Sequence, residues 1–212
     1  MIEHTFCINL KRRVDRWKVM ESKFRRLNLS AERVEAVDGK EIFYKDAEPL
    51  TRYELGCLLS HRKCFELAKE RGYKNFLLLE DDVFFVPNFN KKLEEALKDI
   101  PDDWDMIYLG SLLEQNWSPL YDMSFSFTPI KNNIWKAYQC TGGHAIIFKD
   151  TMYDCIQTEK RAVDIIYALT HGDKNAYVVI PNLIGQRPDY SDIKNLWDIT
   201  RIQTKTTIEK DI

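Results

Sequence analysis

The sequence predicts an α/β fold with a mostly parallel central sheet and helices on both faces. Three observations carry this expectation. Short apolar runs bounded by turn residues alternate with stretches whose apolar residues recur every three or four positions. Two of the runs, Phe76-Leu77-Leu78-Leu79 and Met106–Leu109, are apolar on consecutive residues, as strands covered on both faces must be. At 212 residues, 44% apolar and 30% charged, the chain can bury one substantial core; it is neither a disordered segment nor two full-sized domains.

Each element follows in order. Thr5–Ile8 predicts the first strand, stopped by Asn9-Leu10. Val14, Trp17, Met20, Phe24 and Leu27 then recur at helical spacing and predict an amphipathic helix. Arg33–Val37 reads as a second strand closed by the turn pair Asp38-Gly39, and residues 40–50 read as a loop. Thr51-Arg52-Tyr53-Glu54 has the form of a capping box, so a helix is expected from there to about Arg71, with Gly72 ending it. The strand Phe76–Leu79 runs directly into Glu80-Asp81-Asp82. Asn88 is placed to cap a helix carrying Phe89, Leu93 and Leu97 along one side, and Met106–Leu109 is the next buried strand, closed by Gly110-Ser111. From about Leu112 to Asn133 the pattern dissolves into a polar and aromatic loop. Ala145–Phe148 is again strand-like, short helices are expected near Thr151–Gln157 and Val163–Thr170, and Tyr177–Ile180 is the last strand, ended by Pro181. Residues 1–200 are thus expected to form one domain, followed by a polar tail, Arg201–Ile212, that frays.

Composition excludes several classes of function. Thirty-one basic against 33 acidic side chains give a formal charge of −2, so the basic field that drives nucleic-acid binding is absent. No apolar run approaches the roughly 20 residues of a membrane span. Five cysteines at scattered spacings, with no CxxC pair, signal neither a zinc ribbon nor a thioredoxin-like redox site. The opening Met1-Ile2-Glu3-His4 lacks the layout of a signal peptide, so reduced thiols and a cytoplasmic location are expected.

The chemistry concentrates at the third strand's end. Three consecutive carboxylates, Glu80-Asp81-Asp82, repel one another and resist desolvation, yet they abut a fully apolar strand. A divalent cation among them makes that arrangement tolerable, and strand carboxyl ends are where open α/β sheets bind ligands. Hard oxygen ligands suit Mn2+ or Mg2+, which bridge to substrate phosphates; the alternative is a solvated acidic turn. A basic stretch, Lys11-Arg12-Arg13 with Arg16, enters the first predicted helix near the same sheet edge and offers a berth for a pyrophosphate, or else an ordinary solvated helix face. Ser60-His61 within the capped helix and the Gly142-Gly143-His144 turn read equally as framework or as ligand contacts. Trp117 and Tyr121 belong to the aromatic loop and are expected, with Gly142 and Gly143, to line an acceptor side of the cleft.

Together these segments resemble glycosyltransferase family 25, which includes bacterial lipooligosaccharide galactosyltransferases and collagen hydroxylysine galactosyltransferases. The resemblance rests on Ile8-Asn9-Leu10 with Arg13, Asp15 and Arg16, on Ala36-Val37-Asp38-Gly39, and on Glu54-Leu55-Gly56-Cys57 with Ser60-His61. It continues through Leu78-Leu79-Glu80-Asp81-Asp82-Val83 and Trp104-Asp105 with Tyr108-Leu109-Gly110, then Gly142-Gly143-His144-Ala145, Val163-Asp164 and Ser191-Asp192-Ile193, in order over about residues 6–193. It implies a GT-A-like nucleotide-binding fold and a metal-dependent, inverting transfer of a hexose, galactose favoured over glucose, from a UDP-sugar to a glycan or hydroxylysine-type hydroxyl. It also implies metal ligation by Glu80 and Asp82, donor binding by Asn9, Leu10, Arg13, Arg16, Asp38, Ser60, His61, Asp81 and Gly110, and proton acceptance by Asp164. The competing readings are a catalytically silent UDP-sugar-binding module and a protein-interaction domain of the same fold. A phosphorelay receiver does not fit, because the acids come after residue 75 and the later strand ends in Gly110-Ser111.

Overall fold

The computed structural model describes residues 2–111, 127–138, 140–187, 189–191 and 196–198. Strand and helix alternate first as β1 (His4–Asn9), α1 (Val14–Leu27), β2 (Glu32–Glu35), the short α2 (Tyr44–Ala47), α3 (Arg52–Glu70) and β3 (Asn75–Glu80). There follow β4 (Val83–Phe85), α4 (Phe89–Asp99), β5 (Met106–Tyr108), the hairpin β6 (Phe127–Lys131) and β7 (Ile134–Ala137), and β8 (Ala145–Lys149). The chain ends in α5 (Val163–Thr170), β9 (Ala176–Val179), β10 (Ile184–Gln186), β11 (Asp189–Ser191) and β12 (Leu196–Asp198). The main sheet has eight strands in the order β2-β1-β3-β8-β5-β9-β7-β6, and β4 pairs separately with β10.

Alternation along the buried strands divides the core in two. Phe6, Ile8, Phe76 and Leu78 point to the face covered by Leu58 and Phe65 of α3 and Ile166 and Tyr167 of α5. Cys7, Leu77 and Leu79 point to the other face, covered by Met20 and Phe24 of α1 and Phe89 and Ala96 of α4. Helices therefore lie on both faces, as expected. The start of α3 is fixed as its sequence predicts: the Glu54 amide donates to Thr51 Oγ1 (3.2 Å) and the Thr51 amide to Glu54 Oε2 (2.8 Å).

The sheet is mixed rather than mostly parallel. β1 pairs in parallel with β2 and β3, and β5 with β9, but β8 lies antiparallel between β3 and β5. A strand covered on both faces is apolar on consecutive residues whichever way it runs, so its pattern signals burial and not direction. The expected loop between Leu112 and Asn133 ends in structure: β6 and β7 form a hairpin whose turn places Asn132 in the left-handed region (φ 49°). β6 is the edge strand, exposed at every residue after Phe127 and carrying Pro129, so it shows no alternation to read. Asn88 precedes α4 but makes no side-chain cap, and the helix expected near Thr151–Gln157 shrinks to a single 3-10 turn at Asp150–Met152. Trp117, Tyr121, Asp192, Ile193 and the tail from Arg201 lie outside the described residues. Among the described residues no helix is long and apolar enough to cross a membrane.

One buried histidine ties α5 to the sheet. His171 Nε2 stands 3.0 Å from Tyr108 Oη, and burial pushes the imidazole pKa down to about 4. An exposed imidazole in the unfolded chain titrates near ~6.5, so between these values the unfolded state binds more protons. This contribution to stability is therefore complete above the unfolded value and is lost as pH falls toward the folded one. Urea denaturation of wild type and His171→Gln should show the wild-type advantage shrinking, by on the order of 2 kcal/mol, from about pH 7 to about pH 4.5. An advantage independent of pH would remove His171 from the acid response.

Candidate functional site

The carboxyl ends of the three parallel strands converge with α3 around one open cleft. Ile8 and Leu10 come from the end of β1, Ala36–Gly39 from beyond β2, Glu80, Asp81 and Asp82 from beyond β3, and Tyr53, Cys57, Ser60 and His61 from α3; Arg12 and Arg16 complete the lining. The cleft opens to solvent.

The three acids divide between two tasks. Asp81 is buried, accepting from Arg16 Nη1 (2.7 Å) at one oxygen and from Asn9 Nδ2 (2.5 Å) at the other. Burial, reinforced by Asp82, nevertheless raises its pKa to about 6, against the pull of Arg16. The paired carboxylates in turn hold the Arg16 guanidinium charged, against its own burial. Glu80 ends β3 and Asp82, buried like Asp81, follows in the turn to β4, yet their two carboxylates meet at one partner. The Gln186 amide nitrogen donates to both, at 3.1 Å to Glu80 Oε2 and 3.4 Å to Asp82 Oδ1. The β4–β10 pairing, which sets Gln186 opposite Val83, delivers that amide. Asp82 Oδ2 also stands 3.8 Å from Arg16 Nη1. Two carboxylates held together by one amide, beside a third whose charge is already engaged by Arg16, fit a hard divalent cation. Glu80 also meets α3, with His61 Nε2 at 3.8 Å from its Oε1, and potential ligand atoms of Cys57, His61 and Glu80 all lie within 4.8 Å of one another.

The remaining expected donor residues are placed unevenly. Asp38 lines the cleft, where Arg12 Nε (2.6 Å) and the Lys40 amide (3.0 Å) donate to it and outweigh burial to keep its pKa low. Leu10 lines it too, and Asn9 stands behind it holding Asp81. The Ser60 hydroxyl donates to the Gly56 carbonyl (2.6 Å) and accepts from the Val37 amide (2.8 Å), tying α3 to the segment after β2. Arg13 is not brought into the lining: it precedes α1 and its guanidinium pairs with Asp15 (2.9 Å). Arg12 takes the position expected of it, because the turn entering α1 separates the two side chains. Gly110 also departs from expectation. A Cβ there would fall 2.2 Å from both His144 Nε2 and the Ile184 carbonyl, so this glycine serves close packing under the sheet end rather than the cleft surface.

On the expected acceptor side, Gly143 lies against the donor acids. A Cβ on it would stand 3.4 Å from His61 Cε1 and 3.7 Å from Glu80 Oε1, and the preceding Gly142 has φ 111°. Asp164 is half-buried in the first turn of α5, its Oδ1 accepting from the Ile165 amide (2.9 Å). Burial raises its pKa, the Ile165 amide opposes this, and the nearby Glu80 charge adds to the rise. Cys57, Tyr53 and Gln186 are not anticipated as site residues, and Arg12 is anticipated only as part of the basic stretch. Cys57 was readable, four residues before His61 on a predicted helix; Gln186 carried no local signal.

Residues 2–133 match glycosyltransferase family 25 (LPS biosynthesis protein). The chain belongs to that family. It is similar to procollagen galactosyltransferase 2 of Mus musculus, 36% identical over 128 residues, covering 51% of this chain and 20% of that protein. It is similar also to the inactive glycosyltransferase 25 family member 3 of Mus musculus, 34% identical over the same length. The match thus spans about a fifth of the length of these curated relatives. Among solved structures, that of A197 from STIV superposes with a TM-score of 0.49 at 12% identity, over 97% of this chain and 100% of that one.

The internal ion pair has a testable cost. Arg16→Ala leaves Asp81 and Asp82 buried without their guanidinium and should destabilise the metal-free protein by about 3 kcal/mol in urea denaturation at neutral pH. Asp81→Asn added to Arg16→Ala should recover part of that loss. No recovery would show that Arg16 acts through packing alone.

Proposed function

We propose that this chain is a metal-dependent inverting glycosyltransferase that moves galactose from UDP-galactose to a hydroxyl of a glycan or hydroxylysine-type acceptor. The observation that carries this reading is the acid cluster itself: Arg16 and Asn9 engage Asp81, Glu80 and Asp82 share Gln186, and all three line one open cleft at the strand ends. Glu80 and Asp82 would hold Mn2+, with Mg2+ the alternative, and a cation bound there neutralises the charge on a departing diphosphate. Similarity to the mouse procollagen galactosyltransferase supports galactose over glucose and a collagen-type acceptor, whereas membership of a family of LPS biosynthesis proteins supports a glycan acceptor.

The chain's own residues supply the rest. Arg12, paired with Asp38, lines the cleft and would meet phosphate oxygens there. Inversion needs a base on the acceptor side to take the hydroxyl proton, and Asp164 serves as that base. Burial and Glu80 shift its pKa upward, toward the range in which a carboxylate accepts protons effectively. The second reading, a silent UDP-sugar-binding module, has one specific support: a relative of nearly equal identity carries the name inactive.

Release of UDP from a panel of UDP-sugars separates the two. The expected outcome is Mn2+-dependent turnover of UDP-galactose that stops in excess EDTA. Asp82→Asn should lower it about 100-fold or more. Asp164→Asn should lower transfer about 100-fold while sparing Mn2+-dependent UDP binding. Metal-dependent UDP binding with no turnover of any UDP-sugar would establish the silent module instead, and turnover persisting in EDTA would overturn the metal assignment.

A further inference from the structure

We propose that Cys57, His61 and Glu80 form a second, softer metal site, selective for a Zn2+-class ion, with its fourth coordination position open to the cleft. Cys57 and His61 lie four residues apart on α3, which stacks their side chains on one face of the helix. Glu80 reaches the same point from the end of β3. Potential ligand atoms of the three fall within 4.8 Å of one another, and His61 Nε2 is 3.8 Å from Glu80 Oε1. Two ligands about 2.0–2.3 Å from one tetrahedral ion stand ~3.4–3.7 Å apart, so small side-chain rotations close this triangle around a zinc ion.

The histidine is the independent evidence. His61 is fully buried, and its Nε2 has no hydrogen-bond partner among the described residues. A buried ring nitrogen left in that state is costly, and few native proteins keep one without a reason. Its other nitrogen, Nδ1, lies 2.9 Å from the hydroxyl of Tyr167, which is itself fully buried. With Nδ1–H donating to that oxygen, Nε2 carries the free lone pair. This is the outer hydrogen bond that ligating histidines use to fix tautomer and ring orientation.

The donor set defines the ion. Thiolate and imidazole select Zn2+ over Mn2+, whereas the oxygen pair of Glu80 and Asp82 selects the reverse. All three residues line the cleft. Gly143, which places no side chain over His61 or Glu80, leaves the fourth position accessible to water or a substrate oxygen. Ligation releases the Cys57 thiol proton to solvent and leaves the sulfur as thiolate. Because Glu80 belongs to both sets, Zn2+ and Mn2+ are expected to compete; this consequence, unlike the site itself, rests on the proposed transferase reading.

The test uses Co2+ as a spectroscopic stand-in for Zn2+, on the full chain without nucleotide, so that its outcome is independent of any UDP binding. Wild type should show a thiolate-to-cobalt charge-transfer band in the near ultraviolet and intense four-coordinate visible bands, both abolished by one equivalent of Zn2+. Cys57→Ser should lose the charge-transfer band, whereas Cys155→Ser, which removes the other partly accessible thiol, should keep it. Tyr167→Phe should retain the band but weaken Co2+ binding about tenfold or more, as loss of an outer-shell hydrogen bond does. Should Cys57→Ser fail to fold, alkylation of the wild-type thiols followed by peptide mass analysis gives the same answer: Zn2+ should protect Cys57 selectively. Absence of the band in wild type, its survival in folded Cys57→Ser, or Cys57 alkylation unaffected by Zn2+ would each overturn the site.

Discussion

Everything at the cleft depends on how three adjacent carboxylates are accommodated where a fully apolar strand ends. Leu77, Leu78 and Leu79 bury β3 within the sheet, so Glu80, Asp81 and Asp82 are held together at its end. The solution is to split them. Asp81 is held by Arg16 and by Asn9 at the end of β1, while Glu80 and Asp82 share the Gln186 amide and Asp82 keeps Arg16 within 3.8 Å. An ion pair this deeply buried contributes little net stability, because desolvating both partners offsets their attraction. Its consequence is positional: it ties α1 and the end of β1 to the turn that follows β3.

The surrounding fold supplies that arrangement with its partners. Parallel pairing of β1, β2 and β3 brings three strand ends to one edge, and α3 crosses beneath them with Cys57, Ser60 and His61 directed at the same edge. Ser60 bonds both the helix behind it and the Val37 amide, so the segment carrying Asp38 is anchored to α3. Gly110 allows His144 and Ile184 to approach so closely that β8 and β10 can close the far side. The Gln186 clamp therefore depends on a glycine remote from it in sequence.

The sequence disclosed the elements whose pattern is local. The capping box at Thr51–Glu54, the helical period of α1 and the consecutive apolar residues of β3 each state their structure within a few residues, and the acidic cluster stood out because it contradicts the strand it follows. What could not be read depends on distant pairing. The antiparallel insertion of β8 leaves no mark on a strand apolar on both faces, and β6 is exposed and interrupted by Pro129. The same limit governed the site. The acidic cluster was legible, but not that a turn carries Asp81 and Asp82, that Arg16 and Asn9 engage Asp81, or that Gln186, more than 100 positions downstream, bridges Glu80 and Asp82. Arg12 and Arg13 are neighbours in the chain, and only the turn into α1 determines which one faces the cleft.

On the proposed reading, Glu80 and Asp82 present a metal through which a nucleotide diphosphate is held. Calorimetric titration of UDP into the protein, with and without Mn2+, addresses it most directly. Saturable binding is expected with Mn2+, none in its absence, and loss of the Mn2+-dependent heat in Asp82→Asn. UDP binding of equal strength with and without Mn2+, or Mn2+-dependent binding that survives Asp82→Asn in a folded protein, would contradict it.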